Sequence, residues 1–251
     1  MQLTTNKVLI VDLGTVAYQE AWDLQHRIHE AKQAGFSADV LLLLEHPHVF
    51  TLGKNAKKEN ILISETDLRE KGIDCISIER GGDVTYHGPG QLVGYPIFLL
   101  EALKLRVVDF VDRLEEVMIR VLQSYGLPAQ RNPLNRGVWV KEAKLGFVGI
   151  ALRRGITLHG FALNVAPKLS YYDMIHSCGL KGVEIVSLSS LLRRGISMEE
   201  VKKKTIDSFE SVFALEAEQI PLSVLLATLS SADPPQQPAK GAVSPKKDLD
   251  N

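Results

Sequence analysis

Two cysteines and one glycine-rich stretch hold most of the chemistry open to this chain. Residues 80–96 read Arg-Gly-Gly-Asp-Val-Thr-Tyr-His-Gly-Pro-Gly-Gln-Leu-Val-Gly-Tyr-Pro, with five glycines, two prolines, an arginine, an aspartate and a histidine. Neither helical nor strand periodicity accounts for that composition, which reads as a loop. Glycine lets a ligand approach the backbone closely, and loops on a rigid scaffold are where ligands bind. Cys178 sits in His-Ser-Cys-Gly-Leu without the apolar neighbours of a core cysteine. Cys75 has such neighbours, within Ile73–Ile78, and reads as a small buried hydrophobe. A thiol of ordinary pKa, about 8.5, is only a few per cent thiolate at neutral pH. A nucleophilic cysteine therefore needs a cation or a base beside it. Lys144, Arg153, Arg154, His159, His176 and His87 are all candidates, and spacing does not choose among them. A lysine at a turn, as Lys144 is, is ordinarily a solvated charge.

Other chemistries are poorly served. His46, His48, His87, His159 and His176 do not fall at zinc-ligand intervals, so no metal is expected. Gly81-Gly82 and Gly88-Pro89-Gly90 match neither Gly-x-Gly-x-x-Gly nor a Walker A loop, and no Gly-x-Ser-x-Gly elbow is present. The chain has 251 residues, 45% hydrophobic and 24% charged, the balance of an ordinary globular protein. Its net charge of −1 gives no reason to expect nucleic acid or membrane binding. Two cysteines form no disulfide framework, which fits a reducing, cytoplasmic compartment, and no apolar run is long enough to span a bilayer.

The elements that must position these residues follow from periodicity. Strands are predicted at 7–13, 40–44, 49–52, 73–78, 92–99, 137–140, 145–152 and 156–165. Gly14-Thr15 opens a helix reaching Ala34, with Tyr18, Ala21, Leu24, Ile28 and Ala31 on its apolar stripe. A second helix, 107–125, carries Phe110, Leu114, Val117, Met118, Val121 and Leu122. Ser64 with Asp67 and Ser197 with Glu200 have the spacing of helix starts. Consecutive strands without interposed helices predict an α+β fold, a mainly antiparallel sheet flanked by helices. Residues 1–229 read as one domain. From Ser230 the chain lacks large apolar residues, and 230–251 is expected to be a disordered tail.

Taken together these residues resemble the lipoyl(octanoyl) transferase family. The matching segments are Leu-Leu-Leu-Leu-Glu-His-Pro at 41–47 with Thr-Leu-Gly at 51–53, the loop at 80–91, Gly-Val-Trp-Val through Lys144 to Gly149 at 137–149, and His-Gly-Phe-Ala-Leu-Asn-Val at 159–165 followed by Cys178-Gly179. The resemblance implies a fold like that of biotin and lipoate protein ligases, with a class II synthetase-like core. It implies transfer of an octanoyl group from octanoyl-acyl carrier protein, through a thioester on Cys178, to a lysine of the lipoyl domains of 2-oxoacid dehydrogenase complexes and the glycine cleavage H protein. It implies no cofactor.

Lys144 matches the lysine that activates the thiol and shuttles protons, the two titrating as a coupled pair. Arg80, Gly81, Gly82, Asp83, Val84, Thr85, Tyr86 and His87 match the substrate-binding loop. Phe147, Val148, Gly149, Gly160, Phe161 and Ala162 match further segments lining the acyl site. Three positions depart from the family pattern: Asp83 where glutamine or lysine is common, Ser177 where proline is usual, and Ala151 where a basic residue is frequent. Lys54, Lys57 and Lys58 on one loop and Arg153 and Arg154 on another read either as ordinary solvated charges or as cations that would speed encounter with acidic partners. The rival reading is an ATP-dependent lipoate or biotin ligase on a related fold.

Overall fold

The computed structural model describes residues 7–133, 135–179 and 182–231, with the side chains of Cys178 and Ser231 outside that set. The chain is built around Asp39–Glu45 (β2), whose four consecutive leucines are completely buried. Alternate side chains of a strand point to opposite faces, so β2 feeds two cores. Leu41 and Leu43 pack with the helices Val107–Gln123 (α3) and Met198–Phe213 (α5), while Leu42 and Leu44 pack with Tyr18–Gln33 (α1). An uninterrupted apolar strand is therefore the signature of a sheet covered on both sides.

The sheet has eight strands. In chain order they are Lys7–Thr15 (β1), β2, Gln91–Ile97 (β6), Ala129–Asn132 (β7), Asn135–Val140 (β8), Ala143–Arg153 (β9), Ile156–Asn164 (β10) and Glu216–Gln219 (β11). Their spatial order is β11-β1-β2-β6-β10-β9-β8-β7. The two pairings of β1 are parallel and all the others are antiparallel. A second sheet lies on the α1 side, built from Val49–Leu52 (β3), Asp74–Ser77 (β4) and Val84–His87 (β5) in the order β4-β3-β5. Short helices Glu65–Glu70 (α2), Leu188–Leu192 (α4) and Leu222–Ser231 (α6) complete the chain. No helix among the described residues is long and apolar enough to cross a membrane.

The α3 stripe is buried as its periodicity requires: Phe110, Leu114, Val117, Met118, Val121 and Leu122 are each at most 1% exposed. Burial of each large side chain contributes about 1.5–3 kcal/mol. Ser197 and Ser64 cap their helices, accepting hydrogen bonds from the backbone of Glu200 at 3.4 Å and Asp67 at 3.1 Å.

Four expectations change. β1 continues to Thr15, which pairs with Glu45, so α1 starts at Tyr18 and not at Gly14. Half of the glycine-rich loop is strand: Val84–His87 is buried as β5, because the flanking glycines mask a run of β-forming residues between them. Cys75 is exposed on β4, an edge strand of the small sheet. α6 extends through Ser231, past the expected start of the tail; the rest of that tail lies outside the described residues.

Candidate functional site

The small sheet leaves a narrow recess between itself and the large one. It is lined by Tyr18, Arg80, Thr85, His87, Tyr95, Phe147, Val148, Gly149, His159, Gly160, Phe161 and Ala162, and its cavity volume is about 40 Å³. Sheet register brings these residues together. Across the β9–β10 hairpin Gly149 faces Gly160, Val148 faces Phe161 and Phe147 faces Ala162, so the two consecutive motif segments are direct neighbours. On β5, Thr85 and His87 line the recess. Val84 is buried in the core on the α1 side, and Tyr86 packs among His48, Phe50 and Tyr171.

Gly81, Gly82 and Asp83 form a rim outside the recess, stitched to the segment after β3. Lys54 N donates to Arg80 O and Asn55 N to Gly82 O, both at 3.0 Å. Gly53 permits this approach, since a Cβ there would lie 2.4 Å from Gly82 O. That contact is the physical content of the Thr-Leu-Gly motif. Arg80 itself is 7% exposed and donates to the Thr51 carbonyl at 2.6 Å and to Thr51 Oγ1 at 3.0 Å.

Two recess residues escape sequence reading. Tyr18 counts as part of the apolar stripe of α1, and Tyr95 sits in an apolar strand, so neither signals a site. Their neighbours tie them into a buried polar network. His46 Nδ1 lies 2.8 Å from Val16 O, which can only accept, so this nitrogen carries the proton. Nε2 then accepts from the Tyr95 hydroxyl at 2.8 Å. His87 Nδ1 likewise bonds Gln91 Oε1 at 2.7 Å, while Gln91 Nε2 donates to Asn164 Oδ1 and to the Tyr172 hydroxyl at 3.0 and 2.9 Å.

Burial pushes His46 down to about 4, and burial together with the nearby His46 pushes His87 down to about 3. Both are neutral in the folded protein near pH 7. Below about pH 6.5 the unfolded chain binds protons that these rings refuse, so stability is full above that pH and is lost as pH falls toward 4. The free energy of unfolding is expected to drop by on the order of 3 kcal/mol per histidine between pH 6.5 and 4. Urea melts across that range check this, with His87→Gln flattening the slope. A flat profile in the parent protein would mean that these rings are charged when folded.

Lys144 is the second residue of β9 and only 1% exposed, not the solvated turn lysine its local sequence suggests. Its Nζ donates to Asn135 Oδ1 and, at 2.8 Å, to Arg136 O. The ammonium also lies 5.0 Å from the ring centre of Phe147 and 5.5 Å from that of Trp139. Phe147 stacks in turn on Tyr172, centroids 5.6 Å apart.

Tyr172 belongs to the helical turn Leu169–Met174, and the next turn, Ser177–Gly179, carries Cys178. The Cys178 side chain itself lies outside the described set. After that turn the chain returns to Lys144: Lys144 N donates to Glu184 O at 2.9 Å, and Val186 N donates to Lys144 O at 3.0 Å. Lys144 is thus held through its backbone to Glu184–Val186, and its ammonium lies against Phe147, which lines the recess and stacks on Tyr172. Of the other candidate cations, His87 and His159 line the recess, His159 being 1% exposed and facing Glu79 and Tyr18, His176 adjoins the cysteine turn, and Arg154 donates to Gln33.

Such a domain, a mixed sheet with a small second sheet closing a narrow recess, has the fold of the lipoate protein ligases. The crystal structure of lipoate-protein ligase A bound with ATP superposes with a TM-score of 0.72, covering 91% of this chain and 93% of that one at 16% identity. The Thermoplasma acidophilum protein Ta0514, a putative lipoate protein ligase with bound lipoic acid, gives 0.70 over 90% and 93% at 17% identity. The chain belongs to the lipoyl protein ligase A/B catalytic-domain family, whose sequence model matches residues 17–210. Its sequence relatives include the octanoyltransferase of Syntrophobacter fumaroxidans, 41% identical over 224 residues, 89% of this chain and 98% of that one. The octanoyltransferase of Solibacter usitatus is 45% identical over 204 residues, 81% and 92%.

Proposed function

We infer that the protein is an octanoyltransferase acting in protein lipoylation. The observation that carries this is sequence identity above 40% to octanoyltransferases along almost their whole length, joined to a recess with apolar walls near a buried lysine. The ligase relatives share the fold at 16–17% identity, so they speak for architecture and not for the reaction. The acceptor in this reading is a lysine of a lipoyl domain, and the donor is octanoyl-acyl carrier protein.

The chemistry runs in two steps. The Cys178 thiolate attacks the donor's thioester carbonyl; a new C–S bond forms, the donor's C–S bond breaks, and the carrier thiol leaves, taking a proton from Lys144. One thioester replaces another, so the step is nearly isoenergetic. The acceptor amine then attacks; the C–N bond forms, the Cys178 C–S bond breaks, and the amine's proton passes to Lys144. Amide formation is downhill, and covalent catalysis divides the transfer into two manageable barriers. The donor is already activated, so no nucleotide is consumed. The apolar walls at Phe147, Val148, Phe161 and Ala162 suit the alkyl chain, each buried methylene contributing about 0.8 kcal/mol. A free reactive thiol suits a reducing, cytoplasmic setting.

The test is mass spectrometry after incubation with octanoyl-acyl carrier protein, without ATP. One octanoyl unit is expected on the peptide containing Cys178, and Cys75→Ala is expected to keep full transfer. Activity lost in Cys75→Ala would identify the other thiol as nucleophile, and strict dependence on ATP would establish a ligase.

A further inference from the structure

Asp83, one of the three residues at which this chain departs from the family pattern, sits where the recess rim meets the cysteine turn. Its Oδ1 accepts from Lys57 N at 3.2 Å and from Val84 N at 2.7 Å, and its Oδ2 accepts from the side-chain amide of Asn60. Asn60 is 7% exposed, and its carbonyl accepts from His176 N at 2.8 Å. Beside it Leu62 N donates to Met174 O at 2.8 Å, and Ile61 bridges Ile175. Gly179 N closes the turn on His176 O at 2.9 Å. Gly179 has φ of +69°, and a Cβ there would stand 3.2 Å from Asp83 Oδ2 and 3.7 Å from Asn60 Nδ2. The aspartate is thus bonded to β5 and to the segment 57–60, and stands close to Gly179 of the turn Ser177–Gly179.

We propose that Asp83 and Asn60 are positioning residues, a latch that ties the turn bearing Cys178 to the strand lining the acyl recess. The proposal rests on reading Cys178 as the nucleophile. Position 178 lies on a single helical turn, which has little stiffness of its own. Its placement comes from the segment it is bonded to, and that segment is anchored to β5 through the Asp83 carboxylate. A hydrogen bond to an ionised acceptor is about twice as strong as a neutral one. A lysine at position 83 would have no acceptor to offer, and a glutamine would carry its uncharged acceptor one methylene further out.

A misplacement of about 1 Å at a reacting atom costs on the order of 100-fold in rate. Asp83→Ala is therefore expected to lower kcat for octanoyl transfer about 10- to 100-fold, while KM for the donor moves less than about threefold. Asn60→Ala should do the same. Because the two act through one hydrogen bond, the double variant should be no worse than about threefold below the weaker single. Asp83→Asn, whose amide can pair with a flipped Asn60 amide, should recover most of the loss.

Hydrogen–deuterium exchange of the peptide 172–179 supplies a readout independent of activity and should speed up in both alanine variants. Should Asp83→Ala fail to fold, Asn60→Ala carries the same test, since it leaves both backbone hydrogen bonds to Asp83 in place. Parent-like kcat and exchange in Asn60→Ala, or losses that multiply in the double variant, overturn the latch. A rise in KM at constant kcat overturns it too, making Asp83 a substrate contact. Cys178→Ser assayed alongside separates the two levels: an active serine variant sinks the nucleophile assignment, whereas an inactive one beside a fully active Asp83→Ala sinks the latch alone.

Discussion

Replacing Cys178 by serine is expected to leave the protein folded and to reduce octanoyl transfer by about 10⁴-fold or more, the scale on which loss of a nucleophile is felt. A serine hydroxyl is a far weaker nucleophile than a thiolate at neutral pH. The fold has no reason to respond. The turn Ser177–Gly179 is held by backbone bonds from Gly179 N to His176 O and from His176 N to Asn60 O, which the substitution does not touch. Melting temperature and circular dichroism check the first half of the expectation. Steady-state transfer and the disappearance of the octanoyl adduct check the second. A serine variant that turns over at a substantial fraction of the parent rate would mean that the acyl group passes directly from donor to acceptor.

The second large effect is expected at Lys144. Lys144→Met keeps the length of the buried stem and removes the amine. It should slow both half-reactions, each by roughly 10²–10⁴-fold, the range that positioned acid–base groups supply. It should also cost stability, because Asn135 Oδ1 and Arg136 O lose the donor that Nζ provides. A buried acceptor left without a partner costs about 1–3 kcal/mol. Rapid-quench measurement of adduct formation, followed by chase with a lipoyl domain, reads the two steps separately. An unchanged acylation rate would show that another base deprotonates the thiol. A stability loss without any kinetic effect would make Lys144 a structural cation of the β8–β9 corner.

Six of the eight strands of the large sheet were legible in the sequence because strand periodicity is local, whereas the short strands β7 and β11 carry no such pattern. Four consecutive leucines predicted a doubly covered β2, and the spacing from Phe110 to Leu122 predicted α3. Where the reading slipped, a local cue competed with a tertiary one. Glycines at 81, 82, 88 and 90 masked β5, whose formation depends on pairing with β3. The apolar neighbours of Cys75 suggested burial, but β4 is an edge strand, and edge position is a property of strand order rather than of the strand itself. Tyr18 and Tyr95 gave no sign of lining a recess, since a tyrosine on an apolar stripe looks the same whether its ring ends in packing or at a cavity wall.

By itself the sequence determined which residue types exist to do chemistry here: a thiol without core neighbours, a lysine entering a strand, and glycines where backbones must meet. It did not choose among six possible partners for that thiol. The tertiary structure narrowed the choice by withdrawing Lys144 from solvent, returning Glu184–Val186 to its backbone, and turning His159 toward Glu79. The reason is that the charge state and reach of a side chain depend on desolvation and on neighbours brought in by long-range pairing. Neither is encoded in the few residues on either side of it.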